Sequence, residues 1–329
     1  MSRDALIQQV LAVLDKAGFI VSDRCDVHPR SFDIAARRGR LLLLLKVLSN
    51  IDGISQEISN EIRCLANRLI GYPLIIGDKT RDRLLENGAV YLRYGIPSFN
   101  VRTLYDCFVE GSPPLVYAAP GGLCVSIDGD VLREARTDKN ISLGELAREL
   151  GVSRRTISKY EEGMDATIKI ALKLESILDV PLACPVELLH SYSRSQNESQ
   201  LGPDYVPMMV RDILKIFVDI GFDVLPIIHA PFNALSQEED IVMLTGISKY
   251  NDTMIKKARL MSSISNVAKT QSVLVVEGQS KKLQINGTVL VEKEELEKID
   301  DSSDFISLVQ DRKVDPDSDA KSSDIRVIH

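Results

Sequence analysis

Several familiar patterns are missing from this 329-residue sequence, and each absence argues against a class of protein. No apolar run approaches the roughly 20 residues that span a bilayer, and the opening Met-Ser-Arg-Asp does not begin a signal peptide. Neither a glycine-rich phosphate loop nor a nucleophile elbow is present. The five cysteines form no C-x-x-C pair and the four histidines are isolated, which argues against zinc sites and disulfide frameworks. We therefore expect a cytoplasmic protein with reduced thiols, no membrane contact, no cofactor and no metal.

Positive charge is also in deficit, but the deficit is unevenly distributed. The formal net charge is −7, to which residues 1–110 contribute +2, residues 111–203 contribute −3 and residues 204–329 contribute −6. Attraction to phosphate depends on the local surface and not on the total charge. A small basic helix on this acidic chain can therefore still dock on DNA, and we expect it to depend on sequence readout.

The most informative stretch that is present is residues 141–163, ISLGELARELGVSRRTISKYEEG. Its apolar side chains recur at helical spacing, and Ser142 can cap a first helix that begins at residue 143 or 144. Gly151 stands where a positive φ is needed, Val152 supplies an apolar plug, and Ser153 can cap a second helix that runs to Tyr160. The pattern predicts a helix, a tight turn and a second helix.

The second helix combines an apolar face with a basic one. Ile157 and Tyr160 are expected to face inward. The polar side chains expected on the opposite face, at or near the end that enters a major groove, are Arg154, Arg155, Ser158 and Lys159. Arginine or lysine there can pair with guanine O6 and N7. The alternative interpretation is an ordinary helical hairpin whose charges are merely solvated.

The string L-A-x-x-L-G-V-S-x-x-x-I-S-x-Y-E-x-G, from Leu146 to Gly163, resembles the five-helix DNA-binding domain of the phage repressor and Cro family. The resemblance covers residues 131–189: Leu132-Arg133-x-x-Arg136 matches the first helix, and residues 171–174 and 177–180 match the helical tail. Leu143 departs from the family, since many members carry a phosphate-contacting glutamine there. The DNA-binding residues that the resemblance implies are Ser153, Arg154, Arg155, Ser158 and Lys159, with Thr156 as a phosphate contact.

The segments on either side of this motif alternate helical and strand patterns, which predicts an α/β unit on each side. The upstream elements are a helix over 6–17, a strand over 18–22, strands over 32–36 and 40–47 joined by a turn at Arg38-Gly39, a helix over 55–69, strands over 73–77 and 89–93, and a helix over 101–108. A short hairpin is expected around Asp128-Gly129. The downstream elements are helices over 208–220 and 252–265, strands over 221–224, 240–245, 272–276 and 288–291, and a helix within 303–311.

The two α/β units also resemble each other, with an offset near two hundred residues. Gly18-Phe19-x-Val21 parallels Gly221-Phe222-x-Val224, Phe32 parallels Phe232, and Leu74-Ile75-Ile76 parallels Leu274-Val275-Val276. An internal duplication is our interpretation, and its alternative is that two unrelated α/β domains share a helix-strand rhythm.

The predicted fold is therefore multidomain, α/β plus all-α, with the five-helix domain between two similar α/β domains. The predicted divisions are an α/β domain over 1–112, a connection over 113–130, the helix-turn-helix domain over 131–190, a polar linker over 191–203, the second α/β domain over 204–311 and a disordered tail over 312–329.

The element order of the first α/β domain resembles the restriction-endonuclease-like and Holliday-junction-resolvase fold. The resemblance implies two acids that hold Mg²⁺ and a lysine that assists the attacking water. Asp33 and Lys46 match two of these three positions, but Leu44 stands at the third and cannot coordinate a hard cation. In the second domain the corresponding residues are Asn233, Leu244 and Gly246. We therefore expect a degenerate, inactive nuclease scaffold.

Three functions follow from these observations. The leading one is a sequence-specific, non-enzymatic transcriptional regulator that binds double-stranded DNA as a homodimer and responds to an unidentified effector or protein partner. The whole architecture resembles an archaeal family of helix-turn-helix transcriptional regulators with flanking α/β domains. The second is a Mg²⁺-dependent DNA nuclease that recruits Asp26, Glu57 or Glu61 in place of Leu44. The third is an interaction scaffold or antitoxin-like protein whose DNA binding is secondary.

Overall fold

The computed structural model describes residues 2–25, 30–189, 207–280 and 282–314. The helices in this part of the chain are α1 (Arg3–Lys16), α2 (Gln56–Arg68), α3 (Val101–Phe108), α4 (Gly129–Asp138), α5 (Leu143–Leu150), α6 (Arg154–Glu161), α7 (Ile168–Leu178), α8 (Met208–Asp219), α9 (Asp252–Ala268), α10 (Lys293–Leu296) and α11 (Ser302–Val314). The strands are β1 (Ile20–Val21), β2 (Ile34–Arg38), β3 (Leu41–Asn50), β4 (Tyr72–Lys79), β5 (Ala89–Arg93), β6 (Ile96–Phe99), β7 (Val116–Ala119), β8 (Gly122–Val125), β9 (Ala166–Thr167), β10 (Asp223–Pro226), β11 (Ala234–Glu238), β12 (Ile241–Lys249), β13 (Gln271–Glu277), β14 (Gln284–Ile285) and β15 (Thr288–Glu292). None of the described helices has the length and apolar content that a bilayer crossing requires.

The chain divides into two compact units, and the first comprises residues 1–18, 47–54 and 74–190. In its N-terminal part α1 packs against α3, where Nζ of Lys16 donates to Oη of Tyr105 at 2.8 Å. Strand β4 runs parallel to β6, and β6 pairs antiparallel with β5. Strand β5 then pairs in parallel with β7, which is followed by antiparallel β8 and β9.

The helices α4 to α7 of the first unit enclose one apolar core. Leu132, Leu146, Ile157 and Leu174, one from each helix, are fully buried in it. Val125 of β8 belongs to the same core, so the β7–β8 hairpin closes one side of the helical bundle.

The hairpin lies at β7 and β8 and not around Asp128-Gly129, so that prediction is wrong. Asp128 is instead the N-cap of α4, because its Oδ1 accepts a hydrogen bond from the amide of Val131 at 3.0 Å. A β-carbon at Gly129 would lie 2.5 Å from the carbonyl oxygen of Glu161, so this glycine lets α4 approach the end of α6.

The predicted five-helix domain is also corrected, because the structure has four helices between residues 129 and 189. The two segments assigned to the helical tail belong to the single helix α7 and its end, where Asp179 is left-handed with φ 55°. The amides of Leu182 and Ala183 then donate to Oε1 of Glu175 at 2.7 and 3.1 Å. Pro181 lies in the same stretch and has no amide hydrogen to donate to a helix. The backbone after Asp179 is therefore held by the bonds to Glu175 and does not form another helix.

The second unit comprises residues 19–46, 55–73 and 191–329. One part contains α2 and the antiparallel strands β1, β2 and β3, in which Ile34 faces Leu45. The other part is a six-stranded sheet in the order β10-β11-β12-β13-β15-β14, with antiparallel pairs at its edges and parallel β12, β13 and β15 at its centre. Phe217, Phe222 and Phe305 meet edge to face at 5.0 to 5.8 Å and anchor α8 and α11 on this sheet.

Most of the α/β elements are where the periodicity predicts them, and β5 and α3 have the predicted bounds. Within the two predicted α/β domains, the short strands β6, β11 and β14 were not predicted. The predicted start of a disordered tail at residue 312 is wrong, because α11 continues to Val314 and Nη1 of Arg312 donates to the carbonyl of Leu290 at 2.7 Å. The linker over 191–203 and the tail beyond residue 314 lie outside the described residues.

Candidate nucleic-acid interface

The first helix of the motif begins with a reciprocal pair of hydrogen bonds. Oγ of Ser142 accepts the amide of Glu145 at 3.2 Å, and the amide of Ser142 donates to Oε2 of Glu145 at 2.8 Å. This capping box satisfies two amides that a helix start otherwise leaves unpaired. The amide hydrogen bond from Ser142 also lowers the pKa of the Glu145 carboxyl. The predicted cap at Ser142 is confirmed, and it fixes where α5 begins.

The turn between α5 and α6 has the predicted left-handed residue. Gly151 has φ 72° and ψ 32°, a conformation that glycine adopts without a steric penalty. Val152 packs against the core of the four helices, and Ser153 caps α6 by accepting the amide of Thr156 at 3.1 Å. The two helices are therefore joined with a fixed geometry, which sets the direction of α6.

The helix α6 separates its apolar side chains from its basic ones. Ile157 is fully buried and Tyr160 is nearly so, whereas Arg154, Arg155 and Lys159 are exposed. No described carboxylate forms a salt bridge with any of these three cations. An exposed cationic face at a helix N-terminus, without intramolecular partners, is available for an anionic partner.

The hydroxyl groups of α6 are placed differently from its cations. Oγ of Ser153 is 2.9 Å from Oγ1 of Thr156, so both hydroxyls take part in the cap of the helix. Thr156 and Ser158 are partly buried. The predicted set therefore comes together on α6 and its N-cap, with the three cations and Ser153 exposed and Thr156 and Ser158 partly buried.

The side chain of Arg154 folds back toward the start of α5. A β-carbon at Gly144 would lie 2.8 Å from Nε of Arg154, so the guanidinium lies directly over this glycine. Leu143, which replaces the expected phosphate-contacting glutamine, packs on the core of the bundle. Gly144 at the start of α5 therefore leaves space for the guanidinium of Arg154. Residue 143 supplies no side-chain donor for a phosphate, because it is an apolar leucine.

An ion pair that the sequence interpretation missed holds the far end of α6. The Glu161 carboxylate is 7% exposed and accepts from Nε and Nη2 of Arg136 at 2.5 and 3.3 Å. Arg133 donates from Nη2 to the carbonyl of Glu161 at 2.9 Å. Both arginines lie on α4, so their contacts with Glu161 hold α4 against the end of α6. An acid directly after the buried Tyr160 and an arginine pair at three-residue spacing were the available signals.

In the first α/β part of the second unit, a protein cation occupies the candidate nuclease site. Asp33 is fully buried directly before β2, and its Oδ1 is 2.5 Å from Nε of Arg30. Nζ of Lys46, on β3, donates to the carbonyl oxygen of Arg30. Leu44 is fully buried, as the prediction of a buried central strand requires. The structure thus brings Asp33 and Lys46 together around Arg30, whose guanidinium contacts the carboxylate that a metal ion would need.

The corresponding place in the six-stranded sheet also contains a cation. Nζ of Lys257, on α9, donates to Oδ1 of Asn233 at 2.7 Å and to the carbonyl of Ile247 at 3.0 Å. Burial lowers the pKa of this lysine to about 8. A β-carbon at Gly246 would lie 2.5 Å from Cδ1 of Leu274, so the position that parallels Lys46 has no space for a side chain.

The acids proposed as replacements for Leu44 do not complete a metal site. Glu61 is buried, and its carboxylate accepts the amides of Ile228 and His229 at 3.0 and 2.9 Å. Glu57 is exposed, and Asp26 lies outside the described residues. Among residues 2–25, 30–189, 207–280 and 282–314, no group of three or more histidines, cysteines or acids is arranged to hold a metal ion.

Two protein-family models match this chain. One is described as a PD-(D/E)XK superfamily domain and matches residues 3–114, and the other is described as helix-turn-helix and matches residues 132–183. These matches confirm the nuclease-like and helix-turn-helix resemblances and coincide with the segments that carried them.

Full-length relatives also match. A "Putative HTH-type transcriptional regulatory protein" of Methanocella arvoryzae is 52% identical over 95% of this chain and 98% of its own length. Proteins with the same description from Methanococcoides burtonii, at 52% identity, and Haloarcula marismortui, at 46%, are matched over 95% and 96% of this chain and 98% of their own lengths. No solved structure matches.

Proposed function

Since the chain belongs to the archaeal family of HTH-type transcriptional regulatory proteins, we propose that it is a sequence-specific transcriptional regulator that reads the major groove with α6. The observation that carries this proposal is the exposed, unpaired cationic face of α6, formed by Arg154, Arg155 and Lys159. We propose that its partner is double-stranded DNA in the cytoplasm, because the exposed face is cationic and the relatives are described as transcriptional regulators.

Each part of the reading helix has a separate role in the proposed complex. Arg155 and Lys159 lie one turn apart and are positioned to reach base edges, whereas Arg154 lies over the start of α5 and reaches the groove from there. Ser158 adds a short polar contact. Ser153 and Thr156, at the start of α6, approach a phosphate, because the N-terminus of a helix favours negative charge.

We also propose that two copies of the chain bind together. The reading helix has eight residues and can cover only one half-site. A symmetric partner supplies the second half, with the two reading helices about 34 Å apart on successive turns of the duplex. The operator should therefore be a two-fold symmetric sequence with half-sites about 10 base pairs apart.

The α/β regions serve this function without catalysis in our proposal. Two protein cations, Arg30 and Lys257, contact the side chains at the two places where a nuclease would hold metal. With the second α/β domain extended to Val314, where α11 ends, the domain divisions given above remain our proposal for how the chain is organised. The similar strand order of β1-β2-β3-α2-β4 and β10-β11-β12-α9-β13 supports an internal duplication.

Selection of bound sequences from random duplex DNA tests the proposal. The wild-type protein should enrich a symmetric site, and Arg155→Ala should relax the preference at one position of each half-site by about 1–3 kcal/mol. Arg83→Ala, which removes an exposed arginine outside α4 to α7, is the matched control and should leave the selected site unchanged. Failure to enrich any sequence, or an unchanged preference in Arg155→Ala, would contradict this assignment.

A Mg²⁺-dependent nuclease is the second candidate, because a PD-(D/E)XK model matches residues 3–114. The selected duplex, incubated with the protein and Mg²⁺, distinguishes the two candidates. Recovery of intact strands supports the regulator. Metal-dependent nicking that disappears in Asp33→Ala would establish the nuclease instead.

A further inference from the structure

Two hydrogen bonds join the two α/β parts of the second unit, and they involve equivalent positions of the two parts in reversed roles. Nη1 of Arg68, the last residue of α2, donates to Oε1 of Gln237 on β11 at 3.0 Å. Nη2 of Arg37, on β2, donates to the carbonyl of Ala268, the last residue of α9, at 2.9 Å. Position 68 parallels 268 and position 37 parallels 237, so each helix ends on the second strand of the other part. The two parts are thus joined in a quasi-symmetric manner.

A cleft of about 750 Å³ opens at this junction. Its walls come from five separate segments of the second unit, and its floor includes Leu69 and Ala268. The charged side chains that line it are Arg37, Arg40, Arg68, Lys269, Lys313 and Asp240. Five cations and one acid therefore surround a single concave volume, in a chain whose net charge is −7.

Most of this positive charge is not balanced within the described part of the chain. Arg68 pairs with Asp223 at 2.6 Å, but Arg37 donates only to the main-chain carbonyls of Val267 and Ala268. Arg37 thereby covers the carbonyl end of α9, which would otherwise repel an anion. Arg40, Lys269 and Lys313 are exposed, and no described carboxylate forms a salt bridge with them.

We propose that this cleft binds a small anion with several phosphate groups, held by Arg40, Lys269 and Lys313. Sites for small ligands are concave and hold about 300–1,000 Å³, and they often lie where two structural parts meet, as this cleft lies where the two α/β parts of the second unit meet. A DNA duplex would need cations along an extended face of about 600 Å² or more, whereas these cations converge on one volume. Residues 37–40 and 68–70 of the cleft belong to one α/β part, and residues 240–242, 265–271 and 313 belong to the other. A ligand in the cleft therefore bridges the two parts. The cleft would then serve as an effector site of the regulator.

Isothermal titration of the full-length protein with sodium tripolyphosphate tests this proposal. The wild type should bind one equivalent saturably, and Arg40→Gln/Lys313→Gln should weaken binding by about tenfold or more, which corresponds to about 1.4 kcal/mol or more, because the variant loses two charged donors to the phosphate groups. Arg83→Gln/Lys256→Gln, which removes the same charge from exposed positions outside the cleft, should bind as the wild type does. Far-UV circular dichroism checks that both variants are folded.

Three results would overturn the proposal: no saturable binding by the wild type, equal weakening in both double variants, or equal affinity for sulfate at the same ionic strength. Loss of affinity for a random duplex in the cleft variant alone would assign the cleft to DNA and overturn it as well. The titration contains no DNA, so its outcome is independent of whether α6 reads an operator.

Discussion

The largely buried amine of Lys257 gives a prediction that directly tests how α9 packs on the six-stranded sheet. Burial lowers the pKa of this lysine from 10.5 to about 8, because the charged form loses hydration when α9 packs on the sheet. A tenfold change in proton affinity corresponds to about 1.4 kcal/mol, so the charged form costs the folded state about 3 kcal/mol. This cost should appear as a pH-dependent stability that Lys257→Met lacks.

The pH range follows from the two pKa values. Below pH 8 the lysine is protonated in both the folded and the unfolded chain, and the wild type carries the full cost. Between pH 8 and 10.5 the folded chain releases the proton while the unfolded chain keeps it, so stability rises with pH. Above this range the amine is neutral in both states and the cost has gone.

Urea unfolding followed by circular dichroism measures this change in wild type and in Lys257→Met. From pH 7 to pH 10.5 and above, the free energy of unfolding of the wild type should increase by about 3 kcal/mol relative to the variant. The titrations of all other groups cancel in this difference. Lys256→Met, an exposed neighbour on α9, should give no such change. A difference between wild type and Lys257→Met that stays constant with pH would refute the assignment of a buried, desolvated amine.

Three further predictions concern the helix-turn-helix. Glu161→Ala should lower the free energy of unfolding by about 3 kcal/mol in thermal denaturation, because it leaves Arg136 without its buried partner; a loss below about 0.5 kcal/mol would mean that the pair is solvated. Gly129→Ala should cost about 1–3 kcal/mol, because its β-carbon would meet the backbone of Glu161, whereas Gly53→Ala has open space and should be nearly neutral. Gly144→Ala should leave the melting temperature nearly unchanged but alter the selected DNA site, because it displaces only the flexible end of Arg154; an identical selected site would contradict the described position of that side chain.

Local signals in the sequence were sufficient for the reading motif. Ser142, Gly151 and Ser153 each act on backbone within four residues, so their residue types determine the caps and the turn before any long-range contact forms. The inward direction of Ile157 and Tyr160 follows from helical periodicity in the same way. These features were predicted and are confirmed.

The tail of the same domain was predicted less well because its structure depends on distant partners. The resemblance to the phage repressor and Cro family implied a fifth helix in this domain, but after α7 the amides of Leu182 and Ala183 donate to a carboxylate on α7, and the amide of Cys184 donates to the carbonyl of Ser126. Strand β11 was missed for a similar reason, because its antiparallel pairing with β12 defines it more clearly than its own sequence does.

By itself, then, the sequence determined the short-range features of this protein: the capped helices, the left-handed turn, the cationic face of α6 and the leucine that replaces a metal-binding acid. Only the tertiary structure decided what these charged groups contact. It placed Arg30 against Asp33, Lys257 against Asn233 and Glu161 against Arg136, and it gathered the five cleft cations from four separate segments. The physical reason is that periodicity and capping act over a few residues, whereas ion pairing acts through space between residues that the fold brings together.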